Sequence, residues 1–360
     1  MNGKRFEKSF LLLFCLSIIF CCLVSSEIVI DNTLYIRLFS LSVIILLVLL
    51  FLIFRYQKTK LYIDKFSLIY FLYVVFKAAS ISWSINKSIA ISEASKSITL
   101  FLLFILLQSL LTKYRKPFIE LLLKNVLIIV FLSLFYLISQ FHYSPSFKRF
   151  HLYSVSGISG HKNLYSSFIY LSLVLSIFGS IFLKNKWKAI ALALIIIQFL
   201  LIIILQTRAV WLGFIVFIFC AVLLNLCFRK NKEIKPSKTT RIVLINLFIM
   251  NIIFLLVLPK LIDTYNNNKP LTYNQEDISD LSTFSERTQV WQKTYDIIND
   301  NILFGVGANN WRINVPNYSL PSLYRVTDLN TTFKRPHNDF LWVLAEYGLI
   351  GFNLFFALFL

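Results

Sequence analysis

Three side chains in this 360-residue sequence have the chemistry to meet an anionic substrate: Arg208, Arg287 and His337. Arg208 lies in Gln206-Thr-Arg208, a connection between apolar runs so short that the guanidinium must stay at the rim of a helical bundle. There its fork can bind phosphate bidentately, or it can simply snorkel to the lipid interface. Arg287 stands four residues before Trp291 and can stack on that indole instead of holding a ligand. Its expected place in the first turn of a helix disfavours a cation, a cost that a nearby anion would offset. His337 follows Pro336 and precedes Asn338-Asp339, good caps for a helix entering the membrane. That helix end favours a neutral imidazole able to accept a proton, and its free amides suit phosphate; the alternative is a histidine that only caps the helix.

Other residues form a supporting set: Arg149, His161, Asn163, Asn338 and Glu346. The segment from Phe141 to Asn163 carries Lys148, Arg149, Lys162 and three histidines, His142, His151 and His161, although short external loops usually avoid such charge. An anionic ligand would explain these cations, and so would lipid headgroup phosphates. Glu346 falls about 10 Å, two helical turns, inside an apolar run and needs a partner, for which Lys77 is a candidate. Cys15, Cys21, Cys22, Cys220 and Cys227 all fall in apolar runs and read as buried small hydrophobes. No His/Cys spacing suits a metal, and no Walker loop, Asp-x-Asp or dinucleotide fingerprint is present, so no cofactor is expected.

The elements that must position these residues are membrane helices. With 58% hydrophobic and 15% charged residues, the chain is too apolar for a soluble fold of this length, and its mean hydropathy is +0.72. Apolar runs near membrane-spanning length lie at residues 10–26, 34–54, 62–82, 89–111, 118–140, 164–183, 189–205, 209–228, 241–258 and 340–360, about ten in all. The first is read as a retained helix, not a cleaved signal. The net charge of +19 sits in short basic clusters in every second connection, as the positive-inside rule expects, which argues against nucleic acid as a partner. This places the amino terminus in the cytoplasm and the connections bearing Arg208, Arg287 and His337 outside. The expected fold class is all-α, a polytopic transmembrane bundle. Residues 1–258 form nine spans, 259–339 one large external loop, and 340–360 a final span.

Within the loop, Thr283-Phe-Ser-Glu286 matches a capping box and predicts a helix starting there. Phe284, Trp291, Tyr295 and Ile298 share its expected apolar face, and Asn299-Asp-Asn ends it before the turn Gly305-Val-Gly307. The last run ends in Phe-Ala-Leu-Phe-Leu with no interfacial anchor, so at least one further span is expected beyond Leu360.

Two stretches, SERTQVWQKTYDIINDNILFGVGANNW and RPHNDFLWVLAEYGLIGF, resemble the O-antigen ligase and O-antigen polymerase superfamily of bacterial envelope glycosyltransferases. They carry that family's pattern of Arg…Trp, Gly-x-Gly and His-Asn…Glu-x-Gly-x-x-Gly, with Asn301-Ile-Leu-Phe304 where the family has a proline. SGISGHKNLYSS, QTRAVWLG and ISWSINKSIAISEASK resemble weaker family segments. The resemblance implies a GT-C type fold of about twelve spans in a bacterial inner membrane, with the large loop periplasmic. It implies metal-independent transfer of a glycan from undecaprenyl diphosphate to an acceptor hydroxyl. The acceptor is lipid A-core in a ligase or a growing glycan in a polymerase. Carried onto this sequence, Arg208 and Arg287 would hold the diphosphate and His337 would activate the acceptor. A polysaccharide flippase or other transporter is the rival from another class, and would line a path with polar residues deep in several spans; a non-catalytic scaffold comes third.

Overall fold

The computed structural model describes residues 3–25, 34–55, 62–143, 156–205, 207, 209–213, 215–217, 275–318 and 333–360. Helices dominate, and there is no strand among the described residues. The principal helices are α1 (Gly3–Leu23), α2 (Leu34–Arg55), α3 (Lys65–Ala79), α4 (Lys87–Tyr143), α5 (Lys162–Phe182), α6 (Asn185–Ile204), α7 (Gln275–Asp300), α8 (Trp311–Asn314) and α9 (Asp339–Phe356).

Six described helices are long and apolar enough to cross a membrane, against the ten runs read from the sequence. The difference has identifiable sources. The runs 89–111 and 118–140 count once, as the stretch Lys87–Gln140, although they are two helices that meet at a kink. At 1.5 Å per residue each of the two is long enough for about one pass of a hydrocarbon core about 30 Å thick. The stretch breaks its regular geometry at Tyr114 and contains Pro117, so the basic residues Lys113 to Lys116 lie at a kink, not in a loop. The apolar part of α1, Ser9–Leu23, is shorter than a full crossing. The run 241–258 and most of 209–228 lie outside the described residues.

The chain divides into two compact units. The first comprises Met1–Leu50 and Lys113–Asn268. Its core joins Leu123, Leu127, Val130, Leu134 and Leu137 of α4 to Tyr165, Ile169 and Leu173 of α5 and Leu194, Ile195 and Phe199 of α6. The α5 face carries Ser172, Ser176, Gly179 and Ser180, small residues that let helices approach closely. Their hydroxyls donate to backbone carbonyls of their own helix, and the Gln198 amide meets the Ser172 hydroxyl at 2.8 Å. The opposite faces expose Leu171, Phe178, Phe182, Ile196 and Ile197, apolar surface that a lipid phase would cover.

The second unit comprises Phe51–Thr112 and Lys269–Leu360. Helix α3 starts at a full capping box: Asp64 accepts from the Ser67 amide at 2.8 Å, and the Ser67 hydroxyl accepts from the Asp64 amide at 3.4 Å. Tyr73 of α3 packs edge-on to Tyr347 of α9, and α7 lies against α9 around a core of Val290, Ile297, Ile298, Trp311 and Ala345.

Candidate functional site

The centre of the second unit is a break in α9. Gly348 adopts φ 60° and ψ −167°, a conformation essentially closed to side-chain-bearing residues, so the helical ladder is interrupted there. The backbone groups thus released are taken up by the turn after α7. Val306 and Gly307 donate to the carbonyls of Ala345 and Glu346 at 3.0 and 2.8 Å, while Leu349 and Ile350 donate to Ile302 and Leu303 at 2.9 and 3.4 Å. Glycine is required where these two backbones touch. A Cβ on Gly305 would collide with the backbone of Glu346, one on Gly348 with Leu303, and one on Gly307 with Ser84.

Glu346 is the buried acid that closes this joint. Its carboxylate accepts from the Asn309 amide at 2.8 Å and the Trp342 indole at 2.6 Å, with the Trp311 amide at 3.5 Å. Its expected partner Lys77 instead pairs with Glu93 at 3.7 Å, and Glu93 also holds Lys96 at 3.2 Å. No ion pair joins Lys77 to Glu346, because α9 turns this carboxylate toward amides of the 309–311 loop, yet the two charges still attract each other across the joint. The segment before α4 completes the joint. Asn310, fully buried, accepts from the Asn86 amide at 2.8 Å, and Ala308 donates to the Ser80 hydroxyl at 3.1 Å. Three sequence stretches far apart in the chain, ISWSINK, GVGANNW and EYGLIGF, therefore form one structure.

His337 stands at the edge of this joint. It is exposed, with φ 56°, a left-handed conformation that costs a non-glycine residue on the order of 1 kcal/mol or more. Its neighbours are fixed. Asn338 caps α9 by accepting from Phe340 and Leu341 at 3.1 and 3.2 Å, so the capping role belongs to Asn338, not to the histidine. Pro336 is buried, and its carbonyl accepts from the Trp291 indole at 2.7 Å. The Arg335 guanidinium lies over the Trp342 ring, 4.5 Å from its centroid. The exposed cations Lys334 and Arg335 beside His337 were not singled out from sequence.

Arg287 is exposed on α7, one helical turn before Trp291. Helix α7 begins at Gln275, eight residues before the expected start, so Thr283 is interior and Arg287 is well past the first turn. With Arg287 about three turns into the helix, the dipole cost expected for it in a first turn does not arise. The predicted apolar face is also rotated. Val290, Thr294, Ile297 and Ile298 are buried while Tyr295 is exposed, and the side chain of Phe284 lies outside the described residues. The rotation follows from Trp311, whose indole inserts against α7 and donates to the Thr294 hydroxyl at 3.1 Å. The guanidinium–indole stack found beside this helix is Arg335 on Trp342, while the Trp291 N–H is engaged with Pro336.

In the first unit, His161 is the N-cap of α5, its Nδ1 accepting from the Asn163 amide at 3.1 Å. The Asn163 side chain in turn meets the Thr207 hydroxyl at 3.5 Å. SGHKNL and the start of TRAVWLG are thus neighbours. Arg149 and Arg208 lie outside the described residues.

These features define a class before any comparison: a helical protein with several membrane-spanning segments and a broken helix locked by a polar loop. The family model described as O-antigen ligase matches residues 192–356. That match supports placing the chain in the O-antigen ligase superfamily, and it covers α7, the Gly-x-Gly turn, His337 and α9. Neither a curated protein nor a solved structure matches the chain. Together the match and the spans indicate a multi-pass membrane protein with ligase-type or polymerase-type glycosyltransferase character. The matched family implies, in general terms, a lipid-linked glycan and an acceptor as partners.

Proposed function

We propose that the chain transfers a glycan from undecaprenyl diphosphate to an acceptor hydroxyl at the periplasmic face of a bacterial inner membrane, with lipid A-core as the acceptor. In this reading His337 accepts the hydroxyl proton as the acceptor oxygen bonds to the anomeric carbon. The bond from that carbon to the diphosphate breaks, and undecaprenyl diphosphate leaves with the electron pair. Arg208 and Arg287 neutralise the charge that develops on it, without a metal ion. Arg149, His161, Asn163, Asn338 and Glu346 are the supporting residues of this reading. The observation that carries the reading is that Arg287 and the anchor of the His337 turn lie one turn apart on α7, through the Trp291–Pro336 hydrogen bond.

Polymerisation of repeat units uses the same chemistry with a different acceptor. A transporter would need polar residues lining a path, whereas the ionisable cluster of Lys77, Glu93 and Lys96 is closed on itself by ion pairs. Gel analysis of envelope polysaccharide from a deletion strain separates the readings: unattached lipid-linked polymer supports a ligase, and single repeats on the core support a polymerase. In reconstituted protein, His337→Ala should abolish transfer while donor binding survives. Transfer by that variant at the wild-type rate would remove the base.

A further inference from the structure

We propose that Trp291 is a positioning residue for His337, and that α7 thereby sets base orientation and donor contact as one rigid element. The inference rests on the proposed transfer reaction and adds a residue to it. His337 has a left-handed backbone conformation that a non-glycine residue adopts only at a cost in free energy. Something must fix it from each side. On the far side, Asn338 is locked as the cap of α9. On the near side, the Pro336 carbonyl, part of the peptide that leads into His337, accepts from the Trp291 indole at 2.7 Å.

Helix α7 is itself anchored from below by Val290, Thr294 and Ile297, all buried, and by the Trp311 indole on Thr294. A rigid helix thus presents Arg287 and, about 6 Å further along its axis, the indole that fixes the histidine's backbone. A diphosphate seated at Arg287 and a hydroxyl approaching His337 are then registered by the same element. Lateral error of about 1 Å in such registration is enough to cost a large factor in turnover. Phenylalanine at position 291 would keep an aromatic ring on α7 while removing the N–H donor.

Trp311 provides the matched comparison. Its indole also donates to a hydrogen bond involving α7, but to the core side, away from the His337 turn. The test uses full-length protein reconstituted with lipid-linked donor, reading kcat, donor KM and donor binding for Trp291→Phe and Trp311→Phe. The expected result is a fall in kcat of about tenfold or more for Trp291→Phe with donor KM held within about threefold. Trp311→Phe should lower thermal stability while its kcat stays within about threefold of wild type. Identical behaviour of the two variants would overturn the assignment. So would joint loss of donor binding and turnover in Trp291→Phe, because the tryptophan would then be holding the fold or the donor. An inactive His337→Ala alongside a fully active Trp291→Phe removes only the positioning role. A fully active His337→Ala removes the underlying reaction.

Discussion

Replacing Gly348 with alanine tests whether the broken helix is the structural keystone of the second unit. The backbone there has φ 60° and ψ −167°, and an added Cβ would overlap the Leu303 carbonyl and the Phe304 amide. Both obstacles are backbone, so no side chain can swing aside. Forcing alanine into this conformation costs about 1–3 kcal/mol. Displacing the 302–303 segment to make room would weaken its bonds from Leu349 and Ile350, at about 1 kcal/mol each. The sum is about 3–5 kcal/mol, a large part of an ordinary folding free energy, and corresponds to a fall of roughly 10 °C in melting temperature. Gly179→Ala is the control. Its Cβ would meet Ala191, Leu183 and Leu127 at 3.5–3.8 Å, ordinary contact distances within a helix, so it should be neutral or slightly stabilising. Thermal unfolding of the purified variants in detergent, read by intrinsic fluorescence, gives both values. Equal melting temperatures for Gly348→Ala and wild type would refute the idea that this glycine is there for its backbone.

Three further outcomes follow from the same geometry. Glu346→Ala strands the donors on Asn309 and Trp342 and should lower the melting temperature more than Trp311→Phe, which loses one neutral bond of about 1 kcal/mol; the reverse ranking would contradict the role given to this acid. Glu93→Ala should be costlier than Lys77→Met, because the first leaves the buried Lys77 and the half-buried Lys96 without their shared acid while the second leaves Glu93 paired with Lys96; expression and thermal stability of the two variants decide it. Asp64 is held below the usual carboxylate range by the Ser67 backbone amide, then by the Ser67 hydroxyl, with the Gln108 amide adding to the effect. A depressed folded value stabilises above the unfolded value of about 3.9 and fades as pH falls through the folded one, so the stability gap between wild type and Asp64→Asn should narrow from about pH 6 to about pH 3. A gap constant over that range would assign the difference to capping geometry alone.

What was readable in advance followed from physical period and composition. The apolar runs correspond to α2, α3, α5, α6 and α9 within a few residues, because hydrocarbon thickness sets their length. Asn338 was legible as a cap because its position before an apolar run leaves few other roles for it. The start of α7 was misread because Thr283-Phe-Ser-Glu286 satisfies a local capping pattern that a helix already in progress does not need. The rotation of its buried face, the Glu93 partner of Lys77 and the Trp291–Pro336 bond are long-range facts. They depend on where Trp311 inserts and how α9 bends, and no local window contains them. The glycines were visible as turn signals, yet their purpose, close contact between two backbones, needed the partner strand of chain to be in place.

The junction between α9 and residues 302–307 also fixes where the protein can be lengthened. Four main-chain hydrogen bonds tie the interrupted helix to this short segment. An epitope or reporter inserted between Ile302 and Asn310 would shift the donors and acceptors out of register together, leaving bare polar groups on both sides. The segment therefore behaves as a fixed-length part, and engineering of this protein should treat its residue count as invariant.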